Sequence, residues 1–197
     1  MTTFVLATAN AHKAHEMGEV LAGLDVTLLA RPLDVPEVDE TEDTLEGNAT
    51  LKARALVDAT GLPALADDTG LFVDALDGRP GVFSARYAGE DASYQDNVRK
   101  LLDELGDVSP ERRGAEFRTV IVAAYPDREA LVVVGTLRGS VTQGPRGSRG
   151  FGYDPVFVPE GETRTLAEMS PEEKNAISHR GNALRALAHA LAQGSTN

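Results

Sequence analysis

Short apolar runs alternate with segments of helical periodicity in the first part of the chain. Phe4 to Ala7 is an apolar run followed by polar residues, which predicts a buried strand that leads into a turn. Apolar positions then recur every three or four residues, and this spacing predicts a helix with one buried face. These positions are Met17, Val20, Leu21 and Leu24. Val26 to Leu29 predicts the next strand.

A second helix is predicted at the end of an acidic segment, residues 37–46, which contains six acidic side chains. Asp43 is followed three residues later by Glu46, which is the spacing of a capping box at a helix start. The helix is expected to run to about Thr60, because Gly61 favours a helix end and Pro63 prevents its continuation.

Two adjacent aspartates follow the next apolar run. Ala64 to Ala66 predicts a strand, with Asp67 and Asp68 at its carboxyl end. Ligands of open α/β sheets bind at that end of the strands. Carboxylates placed there suit Mg²⁺, which takes one or two protein carboxylates and keeps several waters. The alternative is a pair of turn or helix-capping aspartates that precede Gly70.

The second half of the chain begins with a helix and continues with strands. Ser93 is expected to cap the helix and Gly106 to end it. Phe117 to Tyr125 and Ala130 to Leu137 are β-rich runs that predict an antiparallel hairpin. Val156 to Val158 predicts one more short strand.

Two further helices are predicted towards the C-terminus. Ser170, Pro171 and Glu173 supply an N-cap, a proline at the first helical position and the glutamate of a capping box. Ser178 opens the last helix, and its core-facing residues are Leu184, Leu187 and Leu191. The order of elements predicts one α/β domain over residues 1–197, with a mixed central sheet flanked by helices. A substrate cleft between two lobes would bring the early acidic residues and the late glycine-rich loop together.

Charge and composition narrow the range of partners. The formal net charge is −12, which repels polyanions and argues against binding to nucleic acid. There is no cysteine, so disulfides and thiolate zinc sites are excluded. No apolar run approaches the roughly 20 residues of a membrane helix, and no basic leader opens the chain. We therefore expect a cytoplasmic protein that does not bind membranes.

Scarce lysines lie in or beside segments with candidate chemistry. The chain has four lysines, and Lys13 follows the first predicted strand within Thr8 to Lys13. Backbone N–H groups at a helix start, together with a lysine, form an anion site. An ordinary N-cap with a solvated lysine is the alternative. Lys52 lies in the second predicted helix, and Lys174 lies in the helix that is predicted to begin at Ser170.

Acidic and aromatic segments supply further candidates. In the acidic segment, Glu40 and Glu37 are the better candidates for a second metal carboxylate, because Asp43 and Glu46 already have a capping explanation.

Gly150 to Asp154 joins an aromatic ring, glycines and a carboxylate, which suits stacking on a nucleotide base. A loop whose aromatic side chains pack on the core explains the same residues.

Six segments in order resemble the inosine triphosphate pyrophosphatase family, also called dITP/XTP pyrophosphatases. The resemblance spans nearly the whole chain. The segments are Leu6 to Lys13, Glu46 to Ala49 with Lys52 and Ala53, Ala66 to Leu71, Pro80 to Tyr87, Gly150 to Pro155 and Glu173 to Gly181.

This resemblance implies a two-lobed α/β fold and a homodimer that hydrolyses ITP, dITP and XTP to the monophosphate and pyrophosphate with Mg²⁺. It implies that Asp68 is the general base and, with Glu40 or alternatively Glu37, a metal ligand. The implied substrate-binding residues are Thr8, Ala9, Asn10, Ala11, His12, Lys13, Lys52, Thr69, Phe151, Gly152, Tyr153, Asp154, Lys174, His179 and Arg180. Two other hypotheses stay open at this point: a purine-sensing module without hydrolysis, and a pyrimidine-directed pyrophosphatase.

Overall fold

Seven strands, five α-helices and five short 3₁₀ helices form the regular structure of the described chain. The computed structural model describes residues 2–8, 10–22 and 26–194, and the side chain of His12 is not described. Ala9 and Leu24, both named from the sequence, lie outside the described residues. The strands are β1 (Thr2–Leu6), β2 (Val26–Leu29), β3 (Ala64–Val73), β4 (Pro80–Gly81), β5 (Gly114–Ala124), β6 (Leu131–Val141) and β7 (Phe157–Pro159). The helices are α1 (Ala11–Leu21), α2 (Leu45–Thr60), α3 (Tyr94–Leu105), α4 (Pro171–Ile177) and α5 (His179–Gly194).

The strands form one mixed sheet in the order β2-β1-β3-β5-β6-β7, with β4 paired to β3. β1 runs parallel to both β2 and β3, whereas β4 is antiparallel to β3 and β7 is antiparallel to β6. The predicted α/β class with a mixed central sheet is therefore confirmed. Among the described residues, no helix combines the length and the apolar composition needed to cross a bilayer.

The chain divides into two compact units, each with its own apolar core. The first unit comprises Met1–Asp68, Thr119–Gly135 and Arg180–Asn197, and the second comprises Thr69–Arg118 and Thr136–His179. Phe4, Met17, Leu65, Ile121 and Leu184 are among the buried residues of the first core. Leu71, Leu101, Phe117, Phe157 and Leu166 are among those of the second core. The predicted substrate cleft stays a prediction.

Several helix ends follow the chemistry expected from the sequence. Ser93 and Ser170 each accept a backbone N–H three residues ahead and complete a capping box. Gly61 ends α2 with φ +67°, a left-handed conformation that glycine adopts without a Cβ clash. The predicted cap at Asp43 is wrong by one residue. Thr44 is the N-cap, because its side-chain oxygen accepts the N–H of Gly47.

The prediction that Asp67 and Asp68 end a strand is wrong, because β3 runs without interruption over Ala64–Val73. The parallel register places Leu6 opposite Leu65, and β1 ends at Leu6. The two aspartates therefore extend past the carboxyl end of β1 although they lie inside β3. A strand tolerates this buried acidic pair because cations neutralise both carboxylates, as described below.

Glycine at position 70 permits the close approach of β3 and β4. A Cβ atom at Gly70 would lie 2.5 Å from the carbonyl oxygen of Gly81, which is backbone and cannot rotate away. We expect Gly70→Ala to lower the free energy of unfolding by roughly 1–3 kcal/mol through overpacking. Urea denaturation followed by circular dichroism measures the change.

Gly18→Ala is the matched control. A Cβ atom at this position of α1 meets no atom within 4 Å, so alanine should leave stability unchanged or raise it by up to roughly 1 kcal/mol. Equal stability of Gly70→Ala and the parent protein would contradict the steric argument.

Candidate active site

Asp67 lies in a buried group of ion pairs within the first unit. The Lys13 ammonium is 3.1 Å from Asp67 Oδ2, and the Arg180 guanidinium approaches the same oxygen at 3.4 Å. Arg180 also donates to Glu16, so it joins two carboxylates. Burial alone would raise the pKa of Asp67, but Lys13 and Arg180 hold it well below its usual range. Asp67 is therefore a permanently charged partner for these cations.

The turn between β1 and α1 places Lys13 beside Asp67. Thr8 Oγ1 accepts the N–H of Asn10, and Asn10 Oδ1 accepts the N–H of Lys13. These bonds fix the first turn of α1, where Ala11 is the first helical residue. The Lys13 side chain is only 18% exposed, so the alternative of a freely solvated lysine does not describe it.

Asp68 belongs to a second set of ion pairs in the same unit. The Lys52 ammonium is 3.0 Å from Asp68 Oδ1 and 2.8 Å from Glu40 Oε1. Burial and the negative charge of Glu40 raise the pKa of Asp68 to about 6, although Lys52 acts in the opposite direction. Burial also opposes the charged form of Lys52, but the nearby carboxylates raise the pKa of this lysine above its usual value.

Glu40, and not Glu37, lies beside Asp68. Glu40 and Asp68 share the ammonium of Lys52, so their oxygens converge on one point. Glu37 instead binds Arg31 at 3.1 Å, and its side chain is 73% exposed. The sequence left these two glutamates as alternatives, and the geometry favours Glu40.

The two adjacent aspartates have different environments because successive side chains of a strand point to opposite faces. Asp67 meets two cations, whereas Asp68 meets one cation and a second carboxylate. Their pKa values are consequently pushed apart, as is typical of carboxylate pairs with separate acid–base roles. Asp68 has the pKa of a usable proton acceptor near neutral pH, and Asp67 does not.

The donors around Asp68 fit a hard divalent cation of the Mg²⁺ type. Glu40 and Asp68 offer carboxylate oxygens that already converge on one positive charge. In residues 2–8, 10–22 and 26–194, no group of three or more His, Cys, Asp or Glu side chains is arranged to hold a metal ion. Mg²⁺ needs no such cage, because it keeps waters and takes phosphate oxygens of the substrate.

A separate polar group in the second unit is built on the glycine-rich loop. Asp154 Oδ2 accepts the N–H of Phe151 at 2.9 Å and the ammonium of Lys174 at 2.8 Å. The same ammonium lies 4.7 Å from the centre of the Phe151 ring, within reach of a cation–π interaction. Gly150 has φ +72°, and a Cβ atom there would lie 2.1 Å from Asp154 Oδ2. Glycine is therefore required for the carboxylate to fold back onto the loop.

Other predicted residues of the second unit have different surroundings. The Tyr153 side chain is buried in the core and donates from its hydroxyl to the carbonyl of Ser84, which matches the packing alternative. His179 is also buried, and its ring stacks on Phe117 with centroids 4.6 Å apart. Thr69 is half-buried, and Gly152 has φ +61° with open space where a Cβ would point.

Sequence reasoning missed two residues of the first unit. Glu16 binds Arg180, and Asn48 lies 3.5 Å from Asp68. Helical spacing was the available indication, because Glu16 follows Lys13 by three residues and Asn48 precedes Lys52 by four. The sequence does not show that these faces of α1 and α2 lie beside strand β3.

Comparisons with known proteins extend over nearly the whole chain. A dITP/XTP pyrophosphatase of Streptomyces coelicolor is 51% identical, over 95% of this chain and 96% of its own length. A dITP/XTP pyrophosphatase of Shigella flexneri is 48% identical, over 98% of this chain and 100% of its own length.

Solved structures show the same similarity in three dimensions. A HAM1 protein from Coxiella burnetii superposes with a TM-score of 0.91 at 43% identity, covering 98% of this chain and 100% of the other. A nucleoside-triphosphatase / dITP/XTP pyrophosphatase from Mycobacterium abscessus gives a TM-score of 0.75 at 46% identity, covering 94% and 97%. The model of the Ham1 family matches residues 4–190. This chain belongs to the Ham1 family.

Proposed function

We propose that this chain is a nucleoside triphosphate pyrophosphatase that hydrolyses non-canonical purine nucleotides such as ITP, dITP and XTP. The observation that supports it most is the split between Asp67, paired with two cations, and Asp68, paired with Glu40 around one lysine. Relatives about half identical over nearly their full length carry the name dITP/XTP pyrophosphatase.

In the proposed reaction, a water molecule attacks the α-phosphorus of the nucleotide and the bond to the β-phosphate bridging oxygen breaks. Asp68 accepts a proton from the water, and pyrophosphate leaves with the electrons of the broken bond. The products are the nucleoside monophosphate and pyrophosphate. Without bound metal, burial and Glu40 raise the pKa of Asp68 to about 6, so its carboxylate is mostly ionised at neutral pH and can accept a proton.

The cations of the first unit are assigned to the triphosphate. Lys13 and Lys52 bring positive charge into a chain with a net charge of −12. Asp67 holds Lys13 and Arg180 in place, so their positions need no rearrangement when an anion arrives. Glu40 and Asp68 are assigned to Mg²⁺, which when bound would neutralise charge on the phosphate oxygens.

The loop of the second unit is assigned to the purine. Phe151 offers a ring for stacking, and the Lys174 ammonium held by Asp154 offers a hydrogen-bond donor. Hypoxanthine, the base of inosine, and xanthine carry a keto oxygen at C6, where adenine carries an amino donor. A fixed donor therefore favours the keto bases, because the wrong base leaves buried polar groups unpaired.

A homodimer is also proposed, on the family resemblance, and a cytoplasmic location is proposed as the sequence analysis expects. Analytical ultracentrifugation of the purified chain tests the first, and fractionation of the source cells tests the second.

Replacing Asp68 with asparagine should lower turnover of ITP by about 10²–10⁴-fold, because the amide cannot accept the proton. Pyrophosphate release measures the rate, and thermal unfolding shows whether the fold is retained. Asp58→Asn, on an exposed position of α2, is the matched control and should keep full activity. Wild-type turnover by Asp68→Asn would remove Asp68 from the mechanism.

Replacing Glu40 with glutamine should raise the Mg²⁺ concentration needed for half-maximal activity by roughly 10-fold or more, because one proposed ligand loses its charge. Glu37→Gln provides the control, since that glutamate binds Arg31 and not the Asp68 group. The assignment fails if both variants show the same Mg²⁺ dependence, or if only Glu37→Gln is affected.

A substrate panel tests the reaction itself. With Mg²⁺ present, ITP, dITP and XTP should yield pyrophosphate, and ATP should be turned over at least roughly 100-fold more slowly for the hydrogen-bonding reason given above. Release of free phosphate alone would indicate a phosphatase. Binding of purine nucleotides without any product would indicate a purine-sensing module. Faster turnover of pyrimidine nucleotides would indicate a pyrimidine-directed pyrophosphatase.

A further inference from the structure

Asn48 is a fully buried polar residue to which the proposed function gives no role. It is the fourth residue of α2 and has no exposed surface. A buried amide is costly unless both of its ends find hydrogen-bond partners. The partners of Asn48 therefore indicate what its side chain does.

The two ends of the Asn48 amide bind two different parts of the first unit. Oδ1 accepts the backbone N–H of Glu42 at 2.9 Å, in the segment that precedes α2. Nδ2 donates to Asp68 Oδ2 over 3.5 Å, a long hydrogen bond. One side chain thus connects the segment that carries Glu40 with the carboxylate of β3.

Lys52, one helical turn further along α2, repeats this connection. Its ammonium binds Glu40 Oε1 and Asp68 Oδ1. Both oxygens of Asp68 are therefore held from one face of α2, Oδ1 by Lys52 and Oδ2 by Asn48. This arrangement limits rotation of the carboxylate, and the bond to Glu42 limits movement of Glu40, which lies two residues earlier.

We propose that Asn48 is a positioning residue that holds Glu40 and Asp68 at the separation that Mg²⁺ binding needs. The inference rests on the proposed function, since it concerns the same two carboxylates. An amide suits the position, because it offers an acceptor to Glu42 at one end and a donor to Asp68 at the other. A carboxylate keeps the acceptor but has no donor, and alanine has neither.

The first experiment uses no nucleotide and no metal. Amide hydrogen exchange at Glu42, followed by ¹⁵N NMR, should accelerate at least roughly 10-fold in Asn48→Ala, because its N–H loses the acceptor. Asn48→Asp retains an acceptor of the same shape and should restore protection. Exchange at the wild-type rate in Asn48→Ala would overturn the proposal, whatever the enzymatic activity is.

The matched control is Asn97→Ala. Asn97 is likewise a buried asparagine that binds backbone, accepting from Ala88 and donating to the carbonyl of Ala85, but it belongs to the second unit. Its loss should lower stability without accelerating exchange at Glu42. Equal acceleration in both variants would mean that general destabilisation, and not positioning, explains the effect.

The second experiment is a double-mutant cycle on Mg²⁺ affinity, measured by calorimetry. Asn48→Ala should weaken binding by about 10–100-fold. Glu40→Gln should then have an effect at least roughly 3-fold smaller in the Asn48→Ala background than in the wild type, since Glu40 is no longer held. If the double variant loses Mg²⁺ affinity by the product of the two single-variant factors, the substitutions act independently and the positioning role is overturned.

The outcomes separate this inference from the proposed function. One outcome is that the wild-type protein binds no Mg²⁺ although exchange of the Glu42 amide depends on Asn48. The metal assignment then fails. Asn48 is in that case a folding contact only, and its positioning role is overturned. If Asn48→Ala does not fold, Asn48→Ser, whose hydroxyl lies on a side chain shorter by one bond, takes its place with the same expected losses.

Discussion

Neutralisation of buried carboxylates by fixed cations is the interaction on which the site depends. Strand β3 carries Asp67 and Asp68 through the interior of the first unit, where an unpaired carboxylate would be too costly to retain. Lys13 and Arg180 stabilise the first charge, and Lys52 stabilises the second. The sheet can therefore remain continuous through this acidic pair, and both carboxylates lie on a strand.

The same interaction gives two chemically identical residues different properties. Two cations pair with Asp67 and lower its pKa, so this carboxylate stays charged. Burial and a neighbouring carboxylate raise the pKa of Asp68. Local environment, more than residue type, decides which acid can exchange a proton. The alternation of side chains in a strand is sufficient to create this difference between adjacent positions.

Local features of the fold could be predicted from the sequence, whereas long-range contacts could not. The caps at Ser93 and Ser170 and the helix end at Gly61 depend on residues within one turn, so their patterns are readable. The length of β3 was missed because acidic pairs normally end strands, and the compensating cations are distant in sequence. Glu16 and Asn48 were missed for the same reason, since their partners lie on other elements.

The ion pair between Asp67 and Arg180 joins residues that are 113 positions apart, because Arg180 lies in the first turn of the last helix. During synthesis on the ribosome, Asp67 and its other partner Lys13 both emerge long before Arg180. The first unit includes residues from Arg180 onwards, so its folding cannot be completed before the last helix has been synthesised.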